Sequence, residues 1–334
     1  MLPVVKPPRL RPGDTIGLVT PGRLAKFPRR IERGVEELPR LGFEVCVGAH
    51  ALREEQTDEE RAADINAMFA DPAVRAIMLT LAGEASTIAR LLDLLDYDLI
   101  RRNPKILVGQ SAATTLILAV NQRTGLITFH GPGLIQHFGN VEGVDGTTAT
   151  NLLDVLQGEC VQYPQAVQHT DEFRDWDVED VARSWQPCTP WRTLRDGVAA
   201  GRLLGGSLRG VNRNLASPYA VDFRDALLFW DLPFEPDALP DPDEATAALA
   251  KLRDAGVFES MAGMIASKPY LYDGHEGLPA FDDLICDALA DFERPVLAGV
   301  DCGHTLPMLT LPVGGLAELD AGARTLRLLE PAVE

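Results

Sequence analysis

The chain of 334 residues lacks the cysteine patterns that mark disulfide frameworks and zinc sites. Its five cysteines are an odd number, and they show neither CxxC nor Cys/His spacing. They are Cys46, Cys160, Cys188, Cys286 and Cys302. We therefore expect reduced, mostly buried thiols, no disulfide framework and no metal site.

Basic residues are also scarce. The chain carries 31 Lys and Arg against 49 Asp and Glu, a formal net charge of −18. Because phosphate-dense polymers would be repelled, the charge argues against nucleic acid or an anionic membrane surface as the main partner. A small anionic ligand stays compatible with this charge where a local cluster of cationic or backbone N–H groups receives it.

Long apolar runs are missing as well. The opening residues MLPVVKPPRLRPGD lack the apolar core of a signal peptide, and no window approaches a membrane span. Internal repeats and low-complexity segments are absent from the sequence. With 46% hydrophobic and 24% charged residues, the composition is typical of a soluble globular protein, and we expect it to be cytoplasmic.

The most informative feature present is the stretch from Lys105 to Ser111. A short apolar run that reads as a buried strand ends at Gly109, Ser111 follows, and a helical pattern begins at Thr114. This layout is typical of a nucleophile elbow, which needs small neighbours such as Ala112. The N–H after the serine would face an oxyanion, although a serine at a strand–helix junction is often only an N-cap.

Strands and helices alternate through the first half of the chain, which predicts a parallel sheet covered by helices on both faces. We predict strands at 15–19, 43–47, 76–81 and 106–111, with helices at 28–41, 54–70, 85–95 and from 114. In such sheets ligands bind beyond the carboxyl ends of the strands, so the end at Gly83 and the end at Ser111 could share one site.

The amino-acid composition changes between residues 161 and 197, where the chain is polar and carries three tryptophans. We read this segment as a linker or long ordered loop outside any sheet. Beyond it we predict helices at 208–215, 243–255 and 281–289 and strands at 226–230, 263–267, 296–300, 306–311 and 325–329. The length favours two domains, which we place at 1–165 and 198–334 with 166–197 as the linker or loop over the site.

A nucleophilic serine needs a base, usually histidine, and an acid that orients the base. His304 follows an apolar strand and is flanked by Gly303, so it is well placed to face a cleft. A structural role, bonding nearby carbonyls, is the alternative. His130 resembles a packed turn residue, and the remaining four histidines lie in loops where we expect solvent: His50, His137, His169 and His275.

Three acidic residues are candidates for the orienting acid. Asp231 ends the strand at 226–230, Glu235 follows four residues later, and Asp301 is nearest to His304 in sequence. A carboxylate at a strand terminus is common as a cap or turn former, so position alone does not decide. For Asp301 we favour bonds to the backbone of its own turn.

Several segments together resemble the serine peptidase family that includes murein LD-carboxypeptidase and the microcin C7 immunity protein. The resemblance runs nearly end to end and is carried by Leu10–Pro21, Leu95–Ser111, Thr124–Pro132, Leu203–Leu208 and Asp301–Gly314. It implies an α/β fold with an N-terminal doubly wound, mostly parallel sheet domain and a smaller, β-rich C-terminal α/β domain. It also implies a homodimer.

The resemblance implies a Ser–Glu–His triad with the site between the domains. By position Ser111 matches the nucleophile, His304 the base and Asp231 the family's glutamate, while the N–H groups of Gly83 and Ala112 match the oxyanion donors. No cofactor or metal is required for this chemistry.

The tryptophan-bearing segment resembles the immunity-protein branch, in which the loop lies over the site and its aromatic side chains can stack on a nucleotide base. Trp176 and Trp185 are the candidates here, and packing of the loop onto the domain is the alternative. Lys268 matches a lysine of that branch and would attract a substrate carboxylate or phosphate, unless it is a solvated surface charge. Ser207 and Glu235 complete the predicted substrate-binding set.

The chain departs from the family pattern at several positions. Ala112 replaces the usual Asp after the serine, Asp231 replaces Glu, Ala82 replaces the first glycine of a pair, and Ser207 replaces Asn. The shorter Asp231 would have to reach the imidazole by backbone movement or through a water. These changes suggest altered specificity or reduced activity.

The predicted function is a serine carboxypeptidase-type hydrolase. It would cleave an amide or acyl-phosphoramidate bond in small aminoacyl-nucleotide or peptidyl toxins, as in microcin C7 self-immunity. A murein tetrapeptide LD-carboxypeptidase is the alternative within the same chemistry. An alternative of another class is a weakly active or non-catalytic ligand-binding homologue.

Overall fold

The computed structural model describes residues 2–22, 27–81, 83–173, 181–235, 238–273 and 275–334. Its strands are β1 (Thr15–Val19), β2 (Glu44–Val47), β3 (Val74–Leu79), β4 (Ile106–Gly109), β5 (Thr128–His130), β6 (Gln168–His169), β7 (Gln186–Pro187), β8 (Arg192–Arg195), β9 (Val198–Ser207), β10 (Leu227–Asp231), β11 (Gly263–Ser267), β12 (Val296–Val300), β13 (Leu311–Val313), β14 (Leu316–Asp320) and β15 (Thr325–Leu328).

The helices are α1 (Pro28–Arg40), α2 (Asp58–Ala70), α3 (Ala85–Leu91), α4 (Tyr97–Arg102), α5 (Thr114–Thr124), α6 (Gly146–Gln157), α7 (Leu208–Leu215), α8 (Pro242–Asp254), α9 (Val257–Ser260) and α10 (Phe281–Ala288). In the described part of the chain, no helix has the length and apolar character needed to cross a membrane.

The first sheet has the strand order β13-β5-β4-β3-β1-β2. Strands β1 to β5 pair in parallel, and β13 closes one edge antiparallel to β5. The order β2-β1-β3-β4-β5 is that of doubly wound folds, in which the carboxyl ends of the strands form the binding edge. The predicted α/β class is confirmed.

The second sheet has the order β15-β14-β9-β10-β11-β12-β8. Its centre, β9 to β12, is parallel, while β14, β15 and β8 are antiparallel. The central strands are buried almost throughout, as expected for parallel strands covered on both faces. A mixed, parallel-centred sheet therefore follows the polar segment.

Most predicted elements lie within a few residues of their observed bounds, and the differences have local causes. Helix α2 begins at Asp58 because Thr57 caps it: the Thr57 hydroxyl accepts from the Glu60 N–H at 3.2 Å, and the Glu60 carboxylate accepts from the Thr57 N–H at 2.9 Å. The charged residues from Glu54 onward thus precede the helix.

Two predictions about strands were wrong. The segment after residue 161 was expected outside any sheet, but β8 within it pairs with β12 and follows a fully buried Trp191. The strand expected at 306–311 was also wrong, since β13 begins only at residue 311. The backbone before it bonds to side chains of α6 instead. Met308 N–H donates to the Thr148 hydroxyl at 2.8 Å, and Thr310 N–H to Asn151 Oδ1 at 2.7 Å.

The expectation that His137 is solvated was also wrong. It lies in a wide helical turn, Leu134–Phe138, and its side chain is completely buried. Its Nδ1 accepts from the Gly133 N–H at 3.2 Å. Burial lowers the pKa of His137 to about 3. His50, which was also expected to be solvated, is half-buried, and its Nδ1 lies 2.8 Å from Asp64 Oδ1.

The buried, neutral His137 makes stability depend on pH. Because its pKa is about 3 when folded and ~6.5 when unfolded, its contribution is complete above the unfolded pKa and is lost as pH falls toward the folded one. Between pH 7 and 4.5 this single group should lower the free energy of unfolding by about 2–3 kcal/mol.

Urea unfolding of the native protein and of His137→Gln at both pH values measures this contribution. The variant should show a shallower pH dependence, whatever its stability at pH 7. His275→Gln, the same change at an exposed histidine, should keep the native pH dependence. An unchanged dependence in His137→Gln would contradict the assignment.

Candidate active site

Ser111 lies at a strained turn beyond the end of β4. The strand ends at Gly109, one helical turn covers Ser111–Ala113, and α5 follows directly. Ser111 has φ of 58°, a left-handed conformation that residues other than glycine rarely adopt and that costs about 1–3 kcal/mol. The sharp strand-to-helix turn predicted from the sequence is therefore present, and the strain at a serine marks a functional candidate.

Close packing explains the small residues around that turn. A Cβ at Gly109 would lie 2.5 Å from Leu79 Cδ1 and 3.1 Å from the Cβ of Ala113. The turn can therefore be this tight only because Gly109 lacks a side chain and Ala113 has a single carbon.

His304 and Asp231 form a direct pair. Asp231 is the last residue of β10, is 1% exposed, and accepts a hydrogen bond at 2.6 Å on Oδ2 from His304 Nδ1. A carboxylate on Nδ1 holds the neutral ring in the tautomer that leaves the Nε2 lone pair available. Asp231, although shorter than glutamate, thus reaches the imidazole directly and does not need a bridging water.

A cleft of about 520 Å³ joins these groups. Ser111 and His304 both line it, together with Gly83, Ala112, Ser207 and Glu235. Between the side chains of Ser111 and His304, which the structure describes fully, no hydrogen bond is formed; such contacts often tighten only when substrate binds. The two strand ends that the sequence placed at one site do meet.

The predicted oxyanion donors occupy the same wall. Gly83 adopts φ of 68°, and Ala112 is 8% exposed beside Ser111. Ala82, one of the departures from the family pattern, lies outside the described residues. Ser207 is buried, and its N–H donates to the Thr114 hydroxyl at 2.8 Å, which attaches the end of β9 to the first turn of α5.

Glu235 and Asp301, the other candidate acids, have different surroundings. Glu235 is exposed on the cleft. Asp301 is completely buried, and its carboxylate accepts from Trp191 Nε1 at 2.9 Å and pairs with Lys268. The expectation that the Asp301 side chain serves its own turn is therefore wrong, because its partners come from two other segments.

Lys268 does not face the cleft. It is 5% exposed, its ammonium pairs with Asp301, and it also donates to the Gly299 carbonyl at 3.1 Å. Neither a substrate-attracting role nor a solvated surface charge describes this position. The sequence shows where β11 ends, but not that the next side chain turns inward to a carboxylate on a neighbouring strand.

The tryptophans divide three ways. Trp176 lies outside the described residues. Trp185 is half-buried and is not among the described residues that line the cleft. Trp191 is buried through its bond to Asp301, as in the packing alternative. Among the described residues of this segment, Phe173 is the aromatic side chain that lines the cleft, and it is 46% exposed.

Sequence reasoning missed Tyr270, whereas His130 is the packed residue that the sequence predicted. Tyr270 lines the cleft with its ring centroid 6.0 Å from that of His304, and burial raises the pKa of its hydroxyl to about 12. His130 ends β5, is buried, and places Nε2 2.9 Å from the Cys302 carbonyl and 3.9 Å from Asp231 Oδ1. Burial lowers the His130 pKa, against the opposing charge of Asp231.

The described residues around the cleft do not include a set of metal-binding side chains. Across the described ranges, no group of three or more His, Cys, Asp or Glu side chains is arranged to hold a metal ion. The arrangement is instead suited to nucleophilic acyl transfer: a strained serine, a carboxylate-oriented imidazole and nearby backbone N–H groups, all on one cleft.

Family models of the LD-carboxypeptidase N-terminal and C-terminal domains match residues 16–131 and 200–319. The chain belongs to the LD-carboxypeptidase family. The first matched range contains Ser111, and the second contains Asp231 and His304. Membership supports a carboxypeptidase-type serine hydrolase.

Curated relatives align over almost the whole chain. A putative carboxypeptidase of Vibrio cholerae is 32% identical, with 95% of each chain covered. The microcin C7 self-immunity protein MccF of Escherichia coli is 30% identical, covering 95% of this chain and 94% of MccF. A probable murein peptide carboxypeptidase of Bacillus subtilis is also 30% identical, covering 96% and 93%.

A solved structure extends the similarity to the fold. MccF in complex with aspartyl sulfamoyl adenosine superposes with a TM-score of 0.91 at 28% identity, covering 99% of this chain and 100% of that one. The two sheets and their order of elements are thus those of an MccF-like fold.

The glycines before Ser207 make a prediction about stability. Gly205 has φ of 155° in register with Phe229, and a Cβ there would overlap the Phe229 carbonyl oxygen. Gly205→Ala should therefore destabilise the protein by about 3 kcal/mol or more, since backbone strain and overlap add.

Urea unfolding measures this cost. Gly146→Ala is the matched control, because a Cβ at Gly146 would have nothing within 4 Å; it should change stability by less than about 1 kcal/mol. Equal effects of the two substitutions would contradict the packing described for β9 and β10.

Proposed function

We propose that the protein is a serine carboxypeptidase-type hydrolase with Ser111 as nucleophile, His304 as base and Asp231 as the orienting acid. The observation that carries the proposal is the direct 2.6 Å bond from His304 to Asp231, on the same cleft as a serine held at positive φ. Family membership supports the same chemistry.

The first half-reaction forms an acyl-enzyme. His304 Nε2 takes the Ser111 proton as the oxygen attacks the acyl carbon, and the N–H groups of Gly83 and Ala112 hold the oxyanion. His304 then gives the proton to the leaving nitrogen, and Asp231 stabilises the transient imidazolium. Oxyanion stabilisation contributes about 3–4 kcal/mol and acid–base help about 10²–10⁴-fold. Water deprotonated by His304 releases the acyl group in the second half-reaction.

For the substrate we propose aminoacyl-nucleotides or peptidyl toxins of the microcin C7 type. Support comes from MccF, which matches along its length and whose structures contain aspartyl sulfamoyl adenosine and glutamyl sulfamoyl guanosine. The murein tetrapeptide is the second candidate, favoured by the equally similar Bacillus subtilis relative. A homodimer is a further proposal that follows from the resemblance, and a cytoplasmic location is one that follows from the composition and cysteine pattern.

Product analysis by mass spectrometry separates these substrates. Native protein and Ser111→Ala would be incubated with aspartyl and glutamyl sulfamoyl adenosine and with a murein tetrapeptide. Cleavage of the sulfamoyl compounds, lost in the variant, supports the detoxifying hydrolase, whereas release of D-alanine alone supports the murein enzyme. Tight binding without turnover of any substrate would instead indicate a non-catalytic homologue.

Asp231 gives a second prediction. Asp231→Asn should lower kcat by about 10³–10⁴-fold, because an amide no longer fixes the imidazole tautomer. Asp231→Glu, which restores the family's acid, should also lower kcat, by about tenfold or more, because the buried pair already makes direct contact and has no room for another methylene.

Steady-state kinetics on the cleaved substrate measures both changes. Asp222→Asn, at a half-exposed aspartate away from the cleft, should retain native activity. A faster Asp231→Glu enzyme would show that the native acid is poorly placed and would contradict the triad geometry.

A further inference from the structure

A small side cavity opens from the cleft beside His304. It has about 50 Å³ of space and shares Gln136, Phe173, Tyr270 and His304 with the cleft, so the two are continuous. Arg183 borders only this side cavity, and Ser111 borders only the main cleft. The cavity therefore extends from the His304 end of the site.

The Arg183 guanidinium has no carboxylate partner among the described residues, although the Arg183 backbone N–H donates to Glu142 Oε1 at 3.3 Å. Its Nη1 donates to Asn140 Oδ1 at 3.1 Å, while its Nε is buried without a hydrogen-bond partner in the described chain. No carboxylate within the described ranges forms an ion pair with it. Arg192, also half-buried, is by contrast paired with Asp282 at 2.5 Å, and Lys268 is paired with Asp301.

An unpaired buried donor on a cation costs free energy that an anionic ligand would recover. The cavity has room for one small group, since a water molecule occupies about 30 Å³ in the liquid. Tyr270, whose phenol is protonated at neutral pH, also lines the cavity and supplies a second donor. These features fit a single carboxylate or a similar anionic group.

One acidic side chain shares the cavity. Glu172 borders it, but its Oε2 accepts from the Ser184 N–H at 2.8 Å, which ties the carboxylate to the loop backbone. Glu172 is directed by that bond, while the Nε of Arg183 is unbonded.

The position beside His304 identifies which part of a substrate would lie there. His304 protonates the leaving nitrogen, so a group bound next to it and away from Ser111 must be attached to that nitrogen. In a carboxypeptidase substrate the α-carboxylate lies two bonds from the leaving nitrogen. In an acyl-phosphoramidate the anionic phosphoryl group is bonded directly to that nitrogen. In the sulfamoyl analogue a sulfonyl group takes its place, and the negative charge arises by loss of the acidic N–H proton and is shared between the nitrogen and the sulfonyl oxygens.

We propose that Arg183 binds the anionic group carried by the leaving half of the substrate, a carboxylate or phosphoryl group attached within two bonds of the leaving nitrogen. This rests on the proposed hydrolase function. Arg183 thereby takes the role that the sequence assigned to Lys268, and it selects substrates that end in an anion.

Kinetics with paired substrates test the proposal. The murein tetrapeptide with a free C-terminal carboxylate is compared with its C-terminal carboxamide, and aspartyl sulfamoyl adenosine forms a third arm. Native kcat/KM should favour the acid over the amide by about 10- to 100-fold, as expected for a hydrogen bond to a charged group. Arg183→Gln should remove that preference by slowing the acid alone, and Arg183→Lys should keep part of it.

Loss in Arg183→Gln confined to the sulfamoyl compound would identify the phosphoryl-type anion as the ligand. Arg224→Gln, at an exposed arginine, should change none of these ratios. Equal slowing of acid and amide, or an unchanged preference, would overturn the proposal, since Arg183 would then only fasten its loop to Asn140.

Calorimetry keeps the test separate from turnover. In a Ser111→Ala background, which removes the nucleophile, the acid tetrapeptide or sulfamoyl compound should bind about 10- to 100-fold more tightly than the carboxamide, and Arg183→Gln should erase the difference. If no substrate is hydrolysed, the hydrolase proposal fails while this binding difference still supports the anion site. Binding of neither anionic ligand would overturn the anion site.

Discussion

The buried carboxylate of Asp301 fixes the turn that carries His304, three residues further along the chain. That carboxylate joins three segments: its own turn, Lys268 at the end of β11, and Trp191 just before β8. A charge with no exposure is tolerated because both oxygens have partners and the lysine neutralises it. The turn that carries His304 is thereby fixed to the end of β11, and its imidazole can reach across to Asp231 at the end of β10.

A second constraint aligns the two sheets. Glycines at the end of β9 and the start of α7 pack directly on Thr114: a Cβ at Gly210 would lie 2.7 Å from the Cβ of Thr114. The same Thr114 hydroxyl accepts from the Ser207 N–H. Thr114 is three residues from Ser111, and Ser207 is in register with Asp231. The position of Ser111, the proposed nucleophile, relative to Asp231 therefore depends on close contact that only glycine allows.

The sequence predicts what is local and misses what is tertiary. Ser111, Asp231 and His304 could be placed because each follows a run of buried apolar residues, and the carboxyl ends of parallel strands share one edge. The direction of a side chain after such an end is not local. The Lys268 ammonium pairs with a carboxylate 33 positions away in sequence. Arg183 lies in a polar segment whose composition indicates neither that it lines a cavity nor that it contains β8.

The pairing of β13 with β5 attaches a segment from late in the chain to the first sheet. The first sheet reaches its full width only when Leu311–Val313 docks beside Thr128–His130. During synthesis, the edge of β5 stays exposed until β13 has been made, and an exposed strand edge can pair with wrong partners. The part of the chain that contains Ser111 therefore lacks both His304 and its sixth strand until residues 304–313 have been made, so a product terminated before them carries the serine but neither the histidine nor a complete first sheet.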